Sequence, residues 1–362
     1  MRGHESEQTP VINGDWATAR RHHEQWWAGR GLVFWVTAPR GCGGEAPEPI
    51  DPEQRWYDPA YRCRETEHLL ARTWYGGDAF PIARGWSAAG DLGVFLGARV
   101  ELTDQTVWMH PVLEDEAGDE QPPIRLDRGN PWLVRHLRMI EALVGASRGR
   151  YVVGMPDLVE NIDVLASLRG TEALLLDMMD RPAWVERRVW EINEAYFEAF
   201  ELFYKLVRDP AGGNSFVFNL WGPGRTAKVQ CDACSTFGPA AFSRFVKPAL
   251  TRQCRWLDYA MFHLDGESCL PSLDEILDIE PLDAVEWTPS KLSVGDSGGN
   301  ARWYELYRRI LAAGKSVQAI GVRPEEVIPL LDACGPEGMF ITCGAASEAD
   351  ARALVGRVES YR

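Results

Sequence analysis

The sequence predicts an α/β fold, a TIM-type (β/α)8 barrel with an N-terminal helical extension and a hairpin insertion. Short apolar runs alternate with amphipathic helical segments along the 362 residues, and this alternation is typical of a parallel sheet. Eight such runs occur in about 330 residues, which fits eight βα units. An open doubly wound sheet is the structural alternative.

Each predicted strand is a short apolar or alternating run bounded by Gly, Pro or polar turn residues. The eight runs cover residues 32–36, about 79–83, 151–155, 215–220, 259–263, 283–287, 316–320 and 339–342. Apolar residues recur at helical spacing over 183–207 and 238–256, so both segments are predicted helices. Upstream of the first strand, residues 15–30 predict an amphipathic helix that ends at Gly29 or Gly31.

The stretch between residues 84 and 150 is too long for a single βα crossover, so an insertion is expected there. Residues 100–102 and 106–110 look like a hairpin within it, and the acidic stretch 116–123 looks like an exposed loop. The expected organisation is an N-terminal helical extension and a barrel that carries the insertion, at residues 1–30 and 31–362 respectively.

The composition fits a globular protein and argues against several classes of function. Lys and Arg number 38 against 53 Asp and Glu, so the formal net charge is −15 and phosphate backbones are repelled. We therefore expect no nucleic-acid binding. No apolar run reaches the length of a membrane span and the polar start has no signal-peptide core, so we expect a cytoplasmic protein with no membrane partner. Eight cysteines are too few for a disulfide framework in a chain of this length.

Polar side chains near the ends of the predicted strands are the candidate functional residues, because barrel enzymes place their chemistry at the carboxyl ends of the strands. These candidates are Arg40, Asp157, Asn219, His263, Asp265, Glu286, Gln318 and Cys343. Two of the fifteen tryptophans, Trp221 and Trp287, are expected to form aromatic walls of the same substrate pocket.

His263, Asp265, Glu286 and Cys343 are the most specific group, since they fall at the ends of three different predicted strands. His263 and Asp265 are two positions apart, so on an extended segment both side chains point the same way. Imidazole, carboxylate and thiolate are ligands that Zn²⁺ accepts, and an open coordination position would make the site catalytic. The alternative is that His263 and Cys343 are packed barrel residues and that Glu286 pairs with an arginine.

The loop of residues 221–226 (WGPGRT) offers Arg225 as a bidentate clamp for a substrate carboxylate. A surface turn with a solvated arginine is equally consistent with this loop. After the third strand, Asp157 is the acid best placed for the pocket. Cys231 and Cys234 form a lone CxxC motif, for which a structural role is the simplest interpretation. The chain has no P-loop, GxGxxG, GxSxG or HExxH motif, so dinucleotide and serine-hydrolase functions lack support.

A set of distinctive segments extends over the second half of the chain: WGPGRT, QCD, PAAFSRFVKPAL, RQCRWLD, FHLDG, LDEILDIEPLDAVEW, GKSVQAIG and MFITCGAAS. Together they resemble the uroporphyrinogen decarboxylase-like superfamily, and most closely its poorly characterised bacterial members. The resemblance runs from about residue 30 to the end and is strongest after residue 150. It implies a TIM-type barrel and favours a homodimer.

The superfamily holds two kinds of chemistry. Its decarboxylases need no metal and use an N-terminal arginine pair with one Asp, whereas this chain has the single Arg40 after its first strand. The other branch contains corrinoid-dependent methyltransferases, and similar zinc geometry occurs in cobalamin-independent methionine synthase. Resemblance to these enzymes implies metal ligands at His263, Glu286 and Cys343. The chain departs from the pattern at Asp265, where the family has Cys, and an oxygen ligand makes the site harder.

Residues and resemblance together favour a zinc-dependent methyl- or alkyl-transferase, in which the metal lowers the pKa of a thiol or similar small substrate. Arg225 and Arg40 would position an anionic part of the substrate, and a corrinoid donor is expected on a partner protein. The first alternative is a metal-independent decarboxylase or lyase for a small carboxylated or tetrapyrrole-like substrate, with Asp157 as proton donor. The second alternative is a non-enzymatic corrinoid or tetrapyrrole binder.

Overall fold

The computed structural model describes residues 16–41, 44–87, 89–113, 122–291 and 295–362. The α-helices of this part are α1 (Trp16–Trp27), α2 (Pro52–Tyr57), α3 (Pro59–Ala71), α4 (Asp91–Phe95), α5 (Pro131–Ser147), α6 (Asn161–Arg169), α7 (Thr171–Asp180), α8 (Pro182–Val207), α9 (Pro239–Ala241), α10 (Lys247–Trp256), α11 (Leu273–Leu277), α12 (Tyr304–Ala312), α13 (Val327–Cys334) and α14 (Glu348–Val358). Its strands are β1 (Leu32–Pro39), β2 (Thr73–Gly77), β3 (Ile82–Ala83), β4 (Arg99–Leu102), β5 (Val107–His110), β6 (Val152–Val153), β7 (Asn214–Phe216), β8 (Leu220–Gly222), β9 (Thr226–Gln230), β10 (Tyr259–Asp265), β11 (Ala284–Thr288), β12 (Ser316–Val322) and β13 (Met339–Gly344).

A seven-stranded sheet forms the centre of the fold. Its strand order is β2-β1-β13-β12-β11-β10-β9, and every neighbouring pair is parallel except β1 with β2. The first and last predicted strands therefore lie side by side, with Leu32 opposite Met339. The α/β class with a mostly parallel central sheet is thus confirmed.

A closed ring of eight strands is not shown by this pairing. β3 pairs in parallel with β6, and a single parallel bridge joins Gly154 to Ser215. Within the described residues, these short pieces join neither edge of the large sheet by a strand ladder. The Asn214 side chain nevertheless links β7 to β9, because it donates to the Thr226 carbonyl at 2.8 Å and accepts from the Thr226 N–H at 3.0 Å. The closed barrel therefore stays a prediction.

The fourth predicted strand differs most from the structure. Residues 215–220 form no continuous strand, because Phe218 and Asn219 adopt left-handed backbone conformations with φ of 70° and 61°. The chain reverses there, and β7 and β8 pair antiparallel. The strand that enters the large sheet is instead β9, whose sequence TAKVQ lacks the apolar run that the sequence analysis required.

The helix before β1 covers the amino-terminal ends of the parallel strands. The Trp26 indole N–H donates to the Val317 carbonyl at 3.2 Å, and the Trp27 indole N–H donates to the Trp221 carbonyl at 3.0 Å. The Trp26 ring also packs edge-on against Phe340. This end of the sheet is therefore filled by aromatic side chains, and the opposite, carboxyl-terminal edge is the one left for polar groups.

The insertion contains the predicted hairpin. β4 and β5 pair antiparallel, and α5 follows them before the chain returns at β6. Residues 1–15 of the predicted extension and 116–121 of the predicted acidic loop lie outside the described residues. In the described part, no helix combines the length and the apolar character that crossing a bilayer requires.

Candidate functional site

A row of four polar side chains crosses the carboxyl-terminal half of the sheet. Register pairs Gln230 with His263, His263 with Glu286, and Glu286 with Gln318 on the neighbouring strands β9 to β12. Side chains that pair in register on parallel strands point to the same face. All four are buried. The sheet therefore brings together groups that lie far apart in the chain.

His263 and Glu286 are directly bonded within this row. His263 Nδ1 donates to Glu286 Oε2, and Glu286 Oε1 accepts from the Thr288 hydroxyl at 2.8 Å. Burial alone would lower the pKa of His263, but the Glu286 carboxylate outweighs burial and raises it. The Glu286 contact orients the imidazole and leaves Nε2 as the ring nitrogen available to a ligand or an ion.

The strained turn between β7 and β8 supports the same row. The Phe218 ring packs on the His263 ring with 4.7 Å between centroids, and the Phe218 carbonyl accepts from Gln318 Nε2 at 2.8 Å. Left-handed conformations of residues other than Gly cost of order 1–3 kcal/mol and persist where surrounding contacts enforce them. Phe218 therefore helps to hold both His263 and Gln318 in place.

Asp232, His263 and Asp265 form a candidate metal centre. One ligand atom from each residue lies within 4.8 Å of the others. Asp232 Oδ1 is buried and has no hydrogen-bond partner. Burying an unpaired carboxylate oxygen destabilises the folded state unless the oxygen binds a proton or a cation. An imidazole and two carboxylates suit a divalent ion of intermediate hardness.

Asp232 is held in a crowded acidic environment. Its Oδ2 accepts from Gln230 Nε2 at 2.7 Å, and its backbone N–H donates to Asp163 Oδ2 at 2.8 Å. Burial and then the Asp163 carboxylate raise the pKa of Asp232 to about 7, although His263 and Lys228 act in the other direction. Positive charge at this position is therefore stabilising.

Asp157 and Lys228 form a buried ion pair beside the polar row. Lys228 Nζ lies 2.7 and 2.8 Å from the two oxygens of Asp157, and it also donates to Gln230 Oε1. Both charged side chains are less than 10% exposed. Buried charges are tolerated only when they are paired and hydrogen-bonded, so each of these two requires the other.

An open cavity of about 330 Å³ adjoins the candidate metal centre. Gln230, Asp232 and Asp163 form one side, and Ser167, Thr171 and the segment around Gly90 line other parts. Its walls present carboxylate, amide and hydroxyl groups. The cavity is thus the space through which a small polar molecule would reach Asp232.

Cys343 does not lie with His263 in the structure. Phe340 pairs with Gln318, so Phe340 and Thr342 share the face of the polar row, and Cys343 lies on the opposite face of β13. Among the described residues, no group with metal-ligand spacing includes Cys343. Burial, followed by the nearby Glu325 and Glu326, raises the pKa of Cys343 to about 12, which keeps it a thiol at neutral pH.

Arg225 and Arg40 lie away from the polar row. Arg225 precedes β9 at its amino-terminal end, pairs with Glu201 at 2.7 Å and stacks over Trp256. Arg40 lines a separate surface cavity of about 300 Å³ together with Tyr75 and others. Arg225 is therefore not placed to clamp a substrate beside His263, whereas Arg40 follows the carboxyl-terminal end of β1 and lines a cavity of its own.

The remaining predicted pocket residues are divided between the core and the turn. Trp221 is buried at the amino-terminal end of the sheet and donates to Asp209 at 3.0 Å. Trp287 neighbours Glu286 on β11 but occupies the other face, where its ring packs against Trp303. Asn219 lies in the strained turn, next to the residue that contacts His263.

The sequence analysis did not identify Lys228, Gln230, Asp232 or Phe218 as site residues. Lys228 and Gln230 belong to the strand that lacked an apolar signature, although a lysine and a glutamine in alternation with apolar residues is a usable signal. Asp232 lies within the CxxC motif, whose cysteines are the residues that the motif marks. Nothing local marks Phe218, since its role comes from a backbone reversal.

Comparison with solved structures gives a likeness in fold. No protein-family model and no curated protein sequence matches the chain. The chain is similar in structure to a methyltransferase from Methanosarcina mazei, with a TM-score of 0.59 and 13% sequence identity. The match covers 95% of this chain and 99% of that chain. At this identity the likeness establishes a shared fold.

Replacing Lys228 by Met should destabilise the protein by about 3–5 kcal/mol, because Asp157 would be left buried without its counter-ion. Adding Asp157→Asn should recover most of that loss, since neither charge then remains. The free energies of unfolding in urea measure both effects. The matched control is Arg244→Met, which breaks an exposed pair with Glu186 and should cost at most about 1 kcal/mol. Equal losses in the two single variants would contradict the requirement for pairing.

The raised pKa of Asp232 makes a prediction for stability against pH in chelator-treated protein. An unfolded Asp titrates near 3.9, so the folded state binds this proton more tightly than the unfolded state. The stability contributed by the protonated form is complete below about pH 4 and is lost as the pH rises through about 7. Asp232→Asn should therefore gain stability relative to the wild type across this range, measured by urea unfolding at several pH values. A difference between Asp232→Asn and the wild type that stays constant with pH would refute the assignment.

Proposed function

We propose that the protein is a methyl- or alkyl-transferase that binds a divalent metal ion, with zinc as the first candidate, between Asp232, His263 and Asp265. The convergence of these three ligand atoms within 4.8 Å carries the proposal. The shared fold with a protein named as a methyltransferase supports the kind of reaction.

The donor set fits an ion of this kind. His263 offers Nε2 because Nδ1 is bonded to Glu286, and Asp232 offers a buried oxygen that has no other partner. Three protein ligands leave coordination positions open, as catalytic sites require. When bound, a divalent ion at this position lowers the pKa of a thiol or similar nucleophile, so that the deprotonated form exists at neutral pH.

The chain's own residues have separate roles in this proposal. Glu286 holds His263 in the tautomer with the proton on Nδ1, and the Phe218 ring restricts the rotation of the imidazole. Gln230 fixes the orientation of the Asp232 carboxylate. The small nucleophilic substrate enters through the cavity of about 330 Å³, and the alkyl donor, a corrinoid on a partner protein, approaches from the same carboxyl-terminal edge.

The ligand set differs from that implied by family resemblance. Asp232 takes the place that the resemblance gave to Cys343, and Glu286 supports a ligand through a hydrogen bond. For the decarboxylase alternative, Asp157 is held by Lys228 and Arg225 is bonded to Glu201 at the other end of β9, so no observation favours it. No observation specifically favours a non-enzymatic corrinoid binder.

Metal binding tests the ligand assignment. Chelator-treated wild type should bind one equivalent of Zn²⁺, measured by titration calorimetry and elemental analysis. His263→Ala and Asp232→Asn should lower the affinity by at least about 100-fold, and Glu286→Gln by about 10–100-fold, because Glu286 acts through His263. Cys343→Ala is the discriminating control and should retain the wild-type affinity. Loss of binding in Cys343→Ala with retention in Asp232→Asn would overturn the proposed ligand set.

Methyl transfer tests the reaction itself. Metal-loaded protein should catalyse transfer of a methyl group from methylcobalamin, used as a model donor, to small thiols, followed by the change in corrinoid absorbance. Chelation and His263→Ala should each lower the rate by about 100-fold or more, since the nucleophile then stays protonated. Arg225→Ala should have little effect, because Arg225 lies at the opposite end of β9. A rate that survives complete removal of metal would rule out the metal-dependent mechanism.

A further inference from the structure

Three cysteines lie next to Asp232 on two short segments that pack together. Cys231 follows β9, Cys234 lies in the next 3-10 helix, Asp232–Thr236, and Cys269 lies in the 3-10 helix Glu267–Ser272 after β10. All three are free thiols and at most 2% exposed. We call Cys231, Cys234 and Cys269 the thiol cluster. All three pack in the hydrophobic core, and the proposed metal centre does not use them.

Cys231 and Cys234 are the two members of the thiol cluster that one turn brings together. Cys231 immediately precedes the 3-10 helix Asp232–Thr236, and Cys234 lies within it. The Cys234 N–H donates to the Cys231 carbonyl at 3.2 Å, which closes a tight turn around the CxxC motif. Two cysteines at the ends of such a turn can form a disulfide with little backbone movement.

Cys231 has two carboxyl groups on its other side, those of Glu160 and Asp163. Ligand atoms of Glu160, Asp163 and Cys231 all lie within 4.8 Å of one another, and Glu160 Oε2 is buried without a hydrogen-bond partner. The same three residues do not make a good cation site, because both Asp163 oxygens already accept N–H groups from Gln230, Asp232 and Ala233. Their arrangement favours thiol chemistry over metal binding.

The thiol cluster lies behind the wall of a cavity. Ser235 and Thr236 are exposed and line the cavity of about 330 Å³, in the same short helix that carries Cys234. Cys231 and Cys234 are buried and do not line the cavity themselves, so we expect only an oxidant as small as hydrogen peroxide to reach them, through a local opening of this turn.

We propose that Cys231 and Cys234 are a redox-active pair that a hydroperoxide oxidises to a reversible disulfide. The Cys234 sulfur attacks one peroxide oxygen, the O–O bond breaks, and a sulfenic acid forms with release of water. The Cys231 sulfur then attacks the Cys234 sulfur and the S–O bond breaks. The departing hydroxide leaves as water with the Cys231 proton, which passes through Glu160. Two thiols lose two electrons in total, and the hydroperoxide gains two.

Peptide mapping of the full chain tests this pairing without any activity assay. Trypsin cuts after Lys228, Arg244, Arg255 and Lys291, so Cys231 and Cys234 share one peptide and Cys269 lies in another. After hydrogen peroxide treatment and blocking of free thiols, the peptide of residues 229–244 should lose two hydrogen atoms in mass and carry no blocking group. Dithiothreitol should reverse the change. Sulfoxide formation at the exposed Met179 serves as an internal measure of peroxide dose.

Variants separate the proposed pair from other outcomes. Cys234→Ser and Cys231→Ser should each abolish the mass loss, whereas Cys269→Ser and Cys254→Ser, at a buried cysteine outside the thiol cluster, should retain it. Circular dichroism establishes that each variant is folded.

A cross-link between the two peptides would assign the disulfide to Cys234 and Cys269 and overturn the proposal. Irreversible oxidation only, or no change at a dose that oxidises Met179, would overturn it as well. None of these measurements depends on metal binding or methyl transfer. The redox pair and the proposed function are therefore tested independently, and the failure of one does not imply the failure of the other.

Discussion

In-register pairing of four parallel strands is the constraint on which the candidate site depends. β9, β10, β11 and β12 place Gln230, His263, Glu286 and Gln318 on one level and on one face of the sheet. A shift of any strand by one residue would turn its polar side chain to the other face and break the contact between His263 and Glu286. The backbone ladder therefore sets the geometry of the site, and the side-chain hydrogen bonds refine it.

The buried carboxylates around this site require hydrogen-bond donors or counter-ions. Glu286 and Asp232 lie beside His263, Asp163 lies beside Asp232, and Lys228 pairs with Asp157. The carboxylates are accommodated by specific donors: Lys228 for Asp157, backbone N–H groups for Asp163, and His263 for Glu286. Asp232 Oδ1 is left over, and this remaining negative charge makes a bound cation favourable there.

The two ends of the sheet differ in the side chains that cover them. At the amino-terminal end, Trp26 and Trp27 seal the strands with buried rings whose N–H groups reach backbone carbonyls. At the carboxyl-terminal end, the turn with Phe218 and Asn219 stores backbone strain and packs against His263. The thiol cluster lies directly behind Asp232 at this second end. Aromatic packing thus fills one end of the sheet, and the polar candidate site lies at the other.

The sequence by itself determined the α/β class, the order of most elements and the candidates His263, Asp265 and Glu286, because apolar periodicity and strand ends are local properties of the chain. It also predicted the hairpin of the insertion, which β4 and β5 confirm.

Only the tertiary structure decided which candidates meet. Cys343 falls on the other face of β13, and Arg225 lies at the other end of β9. Lys228 enters the site through β9, a strand with no apolar signature, and Asp232 enters it from the short helix after β9. The physical reason is that register, strand face and backbone reversal at Phe218 arise from contacts between distant segments, which no local pattern of residues encodes.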